Sequence, residues 1–447
     1  MISVRTAKGY DLPIQGAPLE TSQTIALPAT VAVLPEHIPF VRPRLAVAEG
    51  DRVAVGDLLF TDKTNPRFRF LSPGGGRVDA IHYGPRRVLR EIVIRRDAEN
   101  EPVTSLGQPL SGVAIDRYPR AELVAHLLAG GVWPLLRSLP YRGIADPEQV
   151  PPAIFVSLDH REPFQVPPAR YLENNRALFE LGLRALKRLS PTVHVHADAA
   201  DRAFCEGHQA LITHTVQGRY PADDPGVVLF HVRRSPEENT AWFIDGQDVL
   251  LMAQLLQSGA YPTARLFAVA GTGAAEPRYV ASRLGAPIKD LAGEIGCRDP
   301  RYLVGGVLRG YAGDPEGHMG LYETALAVLP EPGDVDFLTL FRPGPNKPTY
   351  SRTFLSALRR APLPMTTNVN GGRRACIACG YCADVCPVDI WPQMTLKSIL
   401  AEEVEEYLAQ GLLDCVECGL CTYVCPSKIE LAATLQAAKH AYRKEQA

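Results

Sequence analysis

The stretch Cys376–Ile390 reads CIACGYCADVCPVDI, and Cys415–Ile429 repeats its pattern as CVECGLCTYVCPSKI. Each copy is C-x2-C-x2-C-x3-C-P, with cysteines at 376, 379, 382 and 386 and again at 415, 418, 421 and 425. A ligand at every third residue lets a short loop wrap a cube and set three sulfurs around one face. In this run the fourth cysteine serves the other cluster. The spacing therefore predicts two [4Fe-4S] clusters, the first on Cys376, Cys379, Cys382 and Cys425, the second on Cys386, Cys415, Cys418 and Cys421. Pro387 and Pro426 stop each loop from continuing as helix. Gly380 and Gly419 let backbone N–H groups approach the cluster sulfides.

A pair of zinc sites is the competing reading, because four thiolates also suit that metal. Zinc ribbons pair C-x2-C knuckles that lie well apart, whereas here three cysteines crowd together twice, each set followed by C-P. The pattern favours iron–sulfur chemistry, and a chain with two such clusters reads as an electron wire. Cys205 and Cys297 stand alone and read as small buried apolar residues.

Around the motifs the chain is helical. LKSILAEEVEEYLAQGLL places Leu396, Leu400, Val404, Tyr407 and Leu408 on one face of a single helix joining the two cysteine loops. Ser427 and Glu430 have the spacing of a capping box, opening a last helix through Leu431, Leu435 and Tyr442.

The 447 residues of the chain allow about three domains of roughly 150 residues each. Apolar residues make up 46% and charged residues 21%, ordinary for a globular chain. A net charge of -2 offers no basic stripe for nucleic acid. Arg5, Lys8 and Asp11 interrupt the start where a signal peptide needs an apolar run, and no apolar run reaches the ~20 residues that span a bilayer. The expected location is cytoplasmic, with any membrane attachment through a partner. In that compartment clustered cysteines are metal ligands rather than disulfides.

From Val41 the sequence runs VRPRLAVAEGDRVAVGDLLFTDKTNPRFRF, short apolar runs broken by turns, the rhythm of an all-β unit resembling the barrel-sandwich fold of lipoyl and biotinyl domains. Lys63 echoes a lipoylation motif but stands close to Gly56 and before its own Asn65-Pro66 turn, so it reads as a solvated hairpin lysine.

Farther on, RAELVAHLLAGGVWPLL reads as helix, AIFVSLD as a buried strand and YLENNRALFELGLRALKRL as one helix. TVHVHAD reads as a strand and DVLLMAQLLQSG as another helix. That alternation implies a parallel sheet with crossover helices. Gly271-Thr272-Gly273 after a strand is a partial dinucleotide fingerprint, weakened by Glu276 at the third glycine position and by Pro277. The histidines at 82, 160, 194, 196, 214 and 231 share no metal spacing with an acid or cysteine and read as structural or surface groups.

Several separated blocks carry a resemblance: GYDLPIQGAP, VRPRLAVAEGDRVAVGDLLFTDKTNP, GGVWPLLRSLPYRGIADP, NTAWFIDGQDVL, GPNKPTYSRTFLSAL and MTTNVNG. Together they resemble the NqrA family, a component of the Na+-translocating NADH:quinone reductase, over nearly the whole chain. That family is similar in turn to the C subunit of the Rnf complex (RnfC) and to the flavin- and NADH-binding subunit of complex I.

The resemblance implies four units in a mixed fold of α/β, all-β and all-α parts. These are a barrel-sandwich hybrid over 1–104, a Rossmann-like α/β domain over 105–262, a β-grasp (SLBB) domain with linker over 263–345, and a helical two-cluster ferredoxin domain over 346–447. Two departures accompany it. NqrA subunits generally keep remnants of the cysteine motifs, and here both sets are intact. The flavin-binding relatives carry a GRGGAGFPTG-type loop near Gly130, where this chain reads AGGVWPLLRSLPYRG. A phosphate or flavin cradle needs small residues so that backbone N–H groups can approach, and Trp133, Pro134, Leu135 and Leu136 fill that space. FMN and NAD are therefore not expected in this chain, and Trp133 and Tyr141 read as core.

The expected function is a peripheral electron-transfer subunit on the cytoplasmic side of the inner membrane. Its clusters would carry electrons between a redox partner and membrane flavin or quinone subunits, within NADH:quinone reduction coupled to Na+ translocation. Expected partners are membrane-embedded Nqr- or Rnf-type subunits of the B and D kind, with a soluble redox donor and quinone as further candidates. Two alternatives stand beside it: a flavin-dependent NADH dehydrogenase subunit, or a quinone-binding docking subunit whose clusters are structural.

Overall fold

The turn-punctuated segment after residue 28 forms two small facing sheets. In this computed structural model one sheet takes the order Thr30–Val33, Leu89–Arg96, Gly76–Tyr83, Arg52–Val53, and the other Pro43–Leu45, Leu58–Asp62, Arg69–Leu71. The structure describes residues 1–446 except 99, 111, 159–160, 332–343, 347, 352–353, 360 and 369–370. His160 and parts of the GPNKPTYSRTFLSAL and MTTNVNG blocks lie outside the described residues. The sandwich interior holds Val31, Phe60, Ile92 and Ile94, with Phe60 stacked on Phe70 at 4.4 Å between ring centres. Lys63 is exposed in the turn after Leu58–Asp62.

The alternating segment builds a seven-stranded sheet in the order Ile2–Arg5, His214–Gln217, Val193–Asp198, Ile154–Ser157, Ala241–Asp245, Arg137–Leu139, Gly143–Ile144. The first five strands are parallel and the last two antiparallel. Strands Ile154–Ser157 and Ala241–Asp245 are almost wholly buried, as a sheet covered by helices on its faces requires. Helices Arg176–Leu189 and Gly246–Ser258 cross tightly at Gly182, where a Cβ would stand 2.5 Å from the Val249 side chain.

Two helix expectations are corrected here. The expected helix from Tyr171 to Leu189 is split into Pro168–Leu172 and Arg176–Leu189, because Asn175 Nδ2 donates to the Tyr171 carbonyl (2.8 Å) and takes it out of the helical ladder. Helix Arg120–Ala129 ends at Gly130, and Trp133–Leu135 is a separate single turn.

A third sheet has six strands in the order Tyr311–Gly313, Pro300–Val304, Ala325–Pro330, Ala264–Ala270, Arg278–Arg283, Ser22–Thr24, with helix Ile288–Ala292 packed against it. Gly271 follows a strand, but the chain returns antiparallel as Arg278–Arg283, so no crossover helix begins at the partial fingerprint. The N-terminal segment thus supplies an edge strand to each of two sheets built mainly from later residues.

The C-terminal region is helical, and it corrects two more expectations. The linking helix is two helices, Pro392–Leu400 and Val404–Ala409. Between them Glu402 takes φ 58, its N–H bonds the Ile399 carbonyl, and the Glu403 N–H bonds the Ser398 carbonyl. That pair of bonds is a Schellman ending, which satisfies the last carbonyls and turns the chain. Leu400 and Val404, expected on the buried face, are exposed. The capping box is also absent: Ser427 Oγ donates to the Ala375 carbonyl, and helix Leu431–Gln446 starts with the Ala432 N–H on the Thr422 hydroxyl (2.8 Å).

Glu101 clamps the sandwich to the third sheet. It receives Arg96 at 2.9 and 3.0 Å, Arg283 at 2.6 Å and the Gly75 N–H at 2.8 Å. Burial opposes its charge, but these donors overcome the burial and hold its carboxyl near 2 against an ordinary 4.5. A depressed folded value contributes stability above the unfolded value and loses it as pH falls through the folded one. Urea midpoints measured across pH should show Glu101→Gln less stable near neutrality, with a shallower loss than the parent between about 4.5 and 2.

Candidate metal centre

Both cysteine loops fold by the same backbone rule. Ala378 and Glu417 (φ 55 and 58), Gly380 and Gly419 (φ 81 and 78), and Asp389 and Lys428 (φ 56 and 54) occupy equivalent positions, all left-handed. Non-glycine residues persist there only where surroundings over-determine them, at of order 1–3 kcal/mol each. Alternating right- and left-handed residues turn successive N–H groups into an anion-binding concavity. Each glycine opens a one-turn helix, Tyr381–Asp384 or Leu420–Tyr423, which carries the third cysteine of its set.

The structure brings the eight cysteines into two apolar hollows. Cys376, Cys379, Cys382 and Cys425 line one, together with Leu396, Ile429 and Leu431. Cys386, Cys415, Cys418 and Cys421 line the other, with Val388 and Leu435. Cys382 lines both, so the hollows are neighbours. Among the described residues no three His, Cys, Asp or Glu side chains converge closely enough to hold a single metal ion. Thiol groups spread around an apolar hollow, beside turned N–H groups, fit an anionic iron–sulfur cube. Burial pushes the thiols of Cys386 and Cys418 up to about 12 and raises Cys415 and Cys421 as well. A bound metal is what makes such groups thiolates.

The two hollows differ in setting. Cys376 and Cys379 are exposed, and Ile377 between them faces solvent. The second loop is pressed onto the body. Tyr220 donates its hydroxyl to the Cys418 carbonyl (2.8 Å), and Val416 packs with Val227, Val388 and Ile390. Arg233 makes a two-pronged ion pair with Asp414 at 2.5 and 2.8 Å. A Cβ on Gly419 would lie 2.6 Å from the Leu308 carbonyl, whereas Gly380 has open space.

A cavity of about 290 Å³ reaches the second loop at Val416 and Glu417 and is lined by every unit of the fold, including Pro39, Arg137, Tyr322 and His440. Asp224, a buried residue of its lining, pairs with Arg142 at 2.7 Å and Arg309 at 2.7 Å. Burial opposes its ionisation, and the two guanidinium groups win, holding the carboxyl below its usual range. Glu162 shows the reverse: burial pushes its carboxyl up despite the charge of Arg309 and two backbone donors.

The glycine-poor loop is filled as its composition implies. Trp133 is buried, donates Nε1–H to the Ala145 carbonyl (2.8 Å) and meets Trp242 edge-on, while Cβ atoms on Gly130 and Gly131 would strike Leu255 and Leu71. Tyr141, expected in the core, is instead half-buried on the cavity wall with Arg443 near its ring. Cys205 is buried as expected, whereas Cys297 is partly exposed. His196 is buried against the Asp223 carbonyl, and His194 and His214 meet edge-on.

Fold and site together define a multidomain iron–sulfur protein: a barrel-sandwich unit, an α/β unit and a helical ferredoxin-like region carrying the cysteines. Residues 4–97 match the NqrA N-terminal barrel-sandwich hybrid domain, 118–261 the NqrA second alpha/beta domain, and 375–430 a 4Fe-4S dicluster domain. The chain is 34% identical to NqrA of the Na(+)-translocating NADH-quinone reductase of Klebsiella pneumoniae, covering 92% of each. Identity is 32% to that of Pasteurella multocida, over 93% of this chain and 92% of the relative, and 31% to that of Pseudomonas aeruginosa, over 92% of each. It belongs to the NqrA family of the Na+-translocating NADH-quinone reductase. An NAD+-reducing [NiFe]-hydrogenase aligns over 52% of this chain and 53% of its own at TM-score 0.33 and 13% identity, too distant to carry an argument.

The iron–sulfur motifs were legible in the sequence; Asp224, Arg142, Arg309 and Tyr220 were not, since nothing local marks them. Gly419→Ala forces a Cβ onto the Leu308 carbonyl, while Gly380→Ala adds only backbone strain. Iron retained after reconstitution should fall markedly in the first variant and little in the second.

Proposed function

We propose that the chain is the peripheral electron-transfer subunit of an Nqr-type membrane oxidoreductase, serving NADH:quinone reduction coupled to Na+ translocation. In this reading Cys376, Cys379, Cys382 and Cys425 hold one [4Fe-4S] cluster and Cys386, Cys415, Cys418 and Cys421 a second. Bound there, the clusters supply one-electron carriers between a redox partner and the membrane flavin or quinone subunits. The observation that carries the proposal is the shared wall at Cys382, which sets an exposed site beside one pressed onto the body. The chain's own part is to hold the two sites in series, exclude water from the inner one and present the outer one to a partner.

The finer assignments belong to the same reading. The seven-stranded sheet with its parallel centre supports a Rossmann-like domain, and the six-stranded sheet with one packed helix supports a β-grasp (SLBB) domain. The intact motifs support kinship with the Rnf C subunit. Among the described residues no helix is long and apolar enough to cross a membrane, so ion coupling would reside in partner subunits of the B and D kind. Leu255, Leu71 and Trp133 crowd the loop at Gly130 and argue against an FMN or NAD site there. One observation favours a second reading, contact with quinone: the cavity at Val416 and Glu417 opens beside the inner cysteine set.

Anaerobic purification should give iron and sulfide near eight each per chain, the total for two four-iron clusters. Dithionite should produce two coupled paramagnetic centres that reoxidise with quinone or a partner subunit. Cys379→Ala with Cys418→Ala should abolish transfer while the β-rich N-terminal half stays folded by circular dichroism. Unchanged quinone reduction in that variant would reject the wire, flavin fluorescence would favour a dehydrogenase role, and stoichiometric zinc a structural staple.

A further inference from the structure

The two cysteine sites differ in their charged surroundings, and the difference centres on one buried lysine. Lys439 is 1% exposed, on the inner face of helix Leu431–Gln446. Its Nζ donates to the Cys415 carbonyl at 2.6 Å and to Glu417 at 3.0 Å. Glu417 also receives Gln436 Nε2 at 2.8 Å. Arg142 faces the same carboxylate, but both its contacts at 2.7 Å go to Asp224, and His440 faces it as well. A buried ammonium normally costs several kcal/mol, so a fold retains one only where fixed partners hold it. Lys439 has both partners on the inner cysteine loop itself.

Among the described residues the outer site has no buried charge of this kind: Arg374 Nη2 reaches the Pro426 carbonyl at 3.4 Å, but that side chain is exposed to water. Its hollow is lined by uncharged residues, and Gln393 Oε1 accepts from the Cys382 thiol at 3.0 Å. Cluster potentials follow nearby charge, hydrogen bonds and exposure. Reduction adds one negative charge, which a fixed cation in a water-poor site favours and a fixed anion opposes.

Resting on the two-cluster reading, we infer that Lys439 and Glu417 form a charge pair that sets the potential of the inner cluster independently of the outer one. The ammonium favours the reduced form, and the carboxylate both positions it and moderates its pull. These are positioning residues, acting through the field at the Cys415–Cys421 loop.

The test is an electron-paramagnetic redox titration of the reconstituted full chain. Lys439→Gln should lower the midpoint of one centre and Glu417→Gln should raise that same centre, each by about tenfold in the one-electron equilibrium constant, which is about 59 mV. The double variant should return near the parent, and the other centre should stay fixed throughout. Shifts of the same sign in both single variants, equal shifts of both centres, or no shift would overturn the inference. If Lys439→Gln fails to load iron, Glu417→Gln decides alone: no rise sinks the proposal. The two-cluster reading is checked separately by the parent's iron count and its two signals, so its failure cannot be mistaken for failure of the charge pair.

Discussion

Asp224 is the group on which the assembly of this chain turns. Its fully buried carboxylate takes Arg142 from the hairpin at the end of the seven-stranded sheet and Arg309 from the third sheet, and it caps helix Pro225–Val232 through the Gly226 N–H at 2.8 Å. That helix then presents His231 Nε2 at 3.1 Å from the Pro387 carbonyl, and Arg233 just beyond its end reaches Asp414. One charge therefore links two sheets, starts a helix and through it seats both cysteine motifs. Removing one partner of a buried ion pair leaves an uncompensated charge, which costs about 3–5 kcal/mol. The constraint is steep because its two guanidinium partners come from stretches of chain far from Asp224 and from each other.

Cysteine placement obeys a complementary constraint. The repeated left-handed residues at 378 and 417, and at 389 and 428, show that the two motifs share a backbone as well as a spacing. What differs is what lies around them: neutral side chains lining the outer hollow with Arg374 exposed at its edge, and buried Lys439, Glu417 and the Arg233–Asp414 pair about the inner. The duplicated loop repeats one backbone around each hollow, and the docking surface makes the two hollows chemically unlike.

Local rules explain what the sequence made legible. Cysteine spacing, turn punctuation and the switch from period-two to period-3.6 patterning depend on neighbours, so the iron–sulfur motifs, the barrel-sandwich unit and the alternating α/β segment could be read directly. Misreadings arose where a local signal had a stronger rival. Ser427 and Glu430 have capping-box spacing, but the helix start is claimed by Thr422, and a Schellman turn at Glu402 needs no glycine to break the helix. Other features were invisible because they join distant residues, as Tyr220 meets Cys418 and Arg283 meets Glu101. Lys439 left a faint trace, since it continues the Leu431 and Leu435 stripe at helical spacing where an apolar residue would be expected.

The opening residues carry a consequence for biogenesis. Ile2–Arg5 pairs with His214–Gln217, and Ser22–Thr24 pairs with Arg278–Arg283. These two strands are thus among the last that can find their places, because both sheet edges they join are made from chain synthesised much later. Pairings of such sequence separation pay loop-closure entropy before any reward and fold slowly. Until the later partners emerge, both strands remain unpaired and open to chaperones.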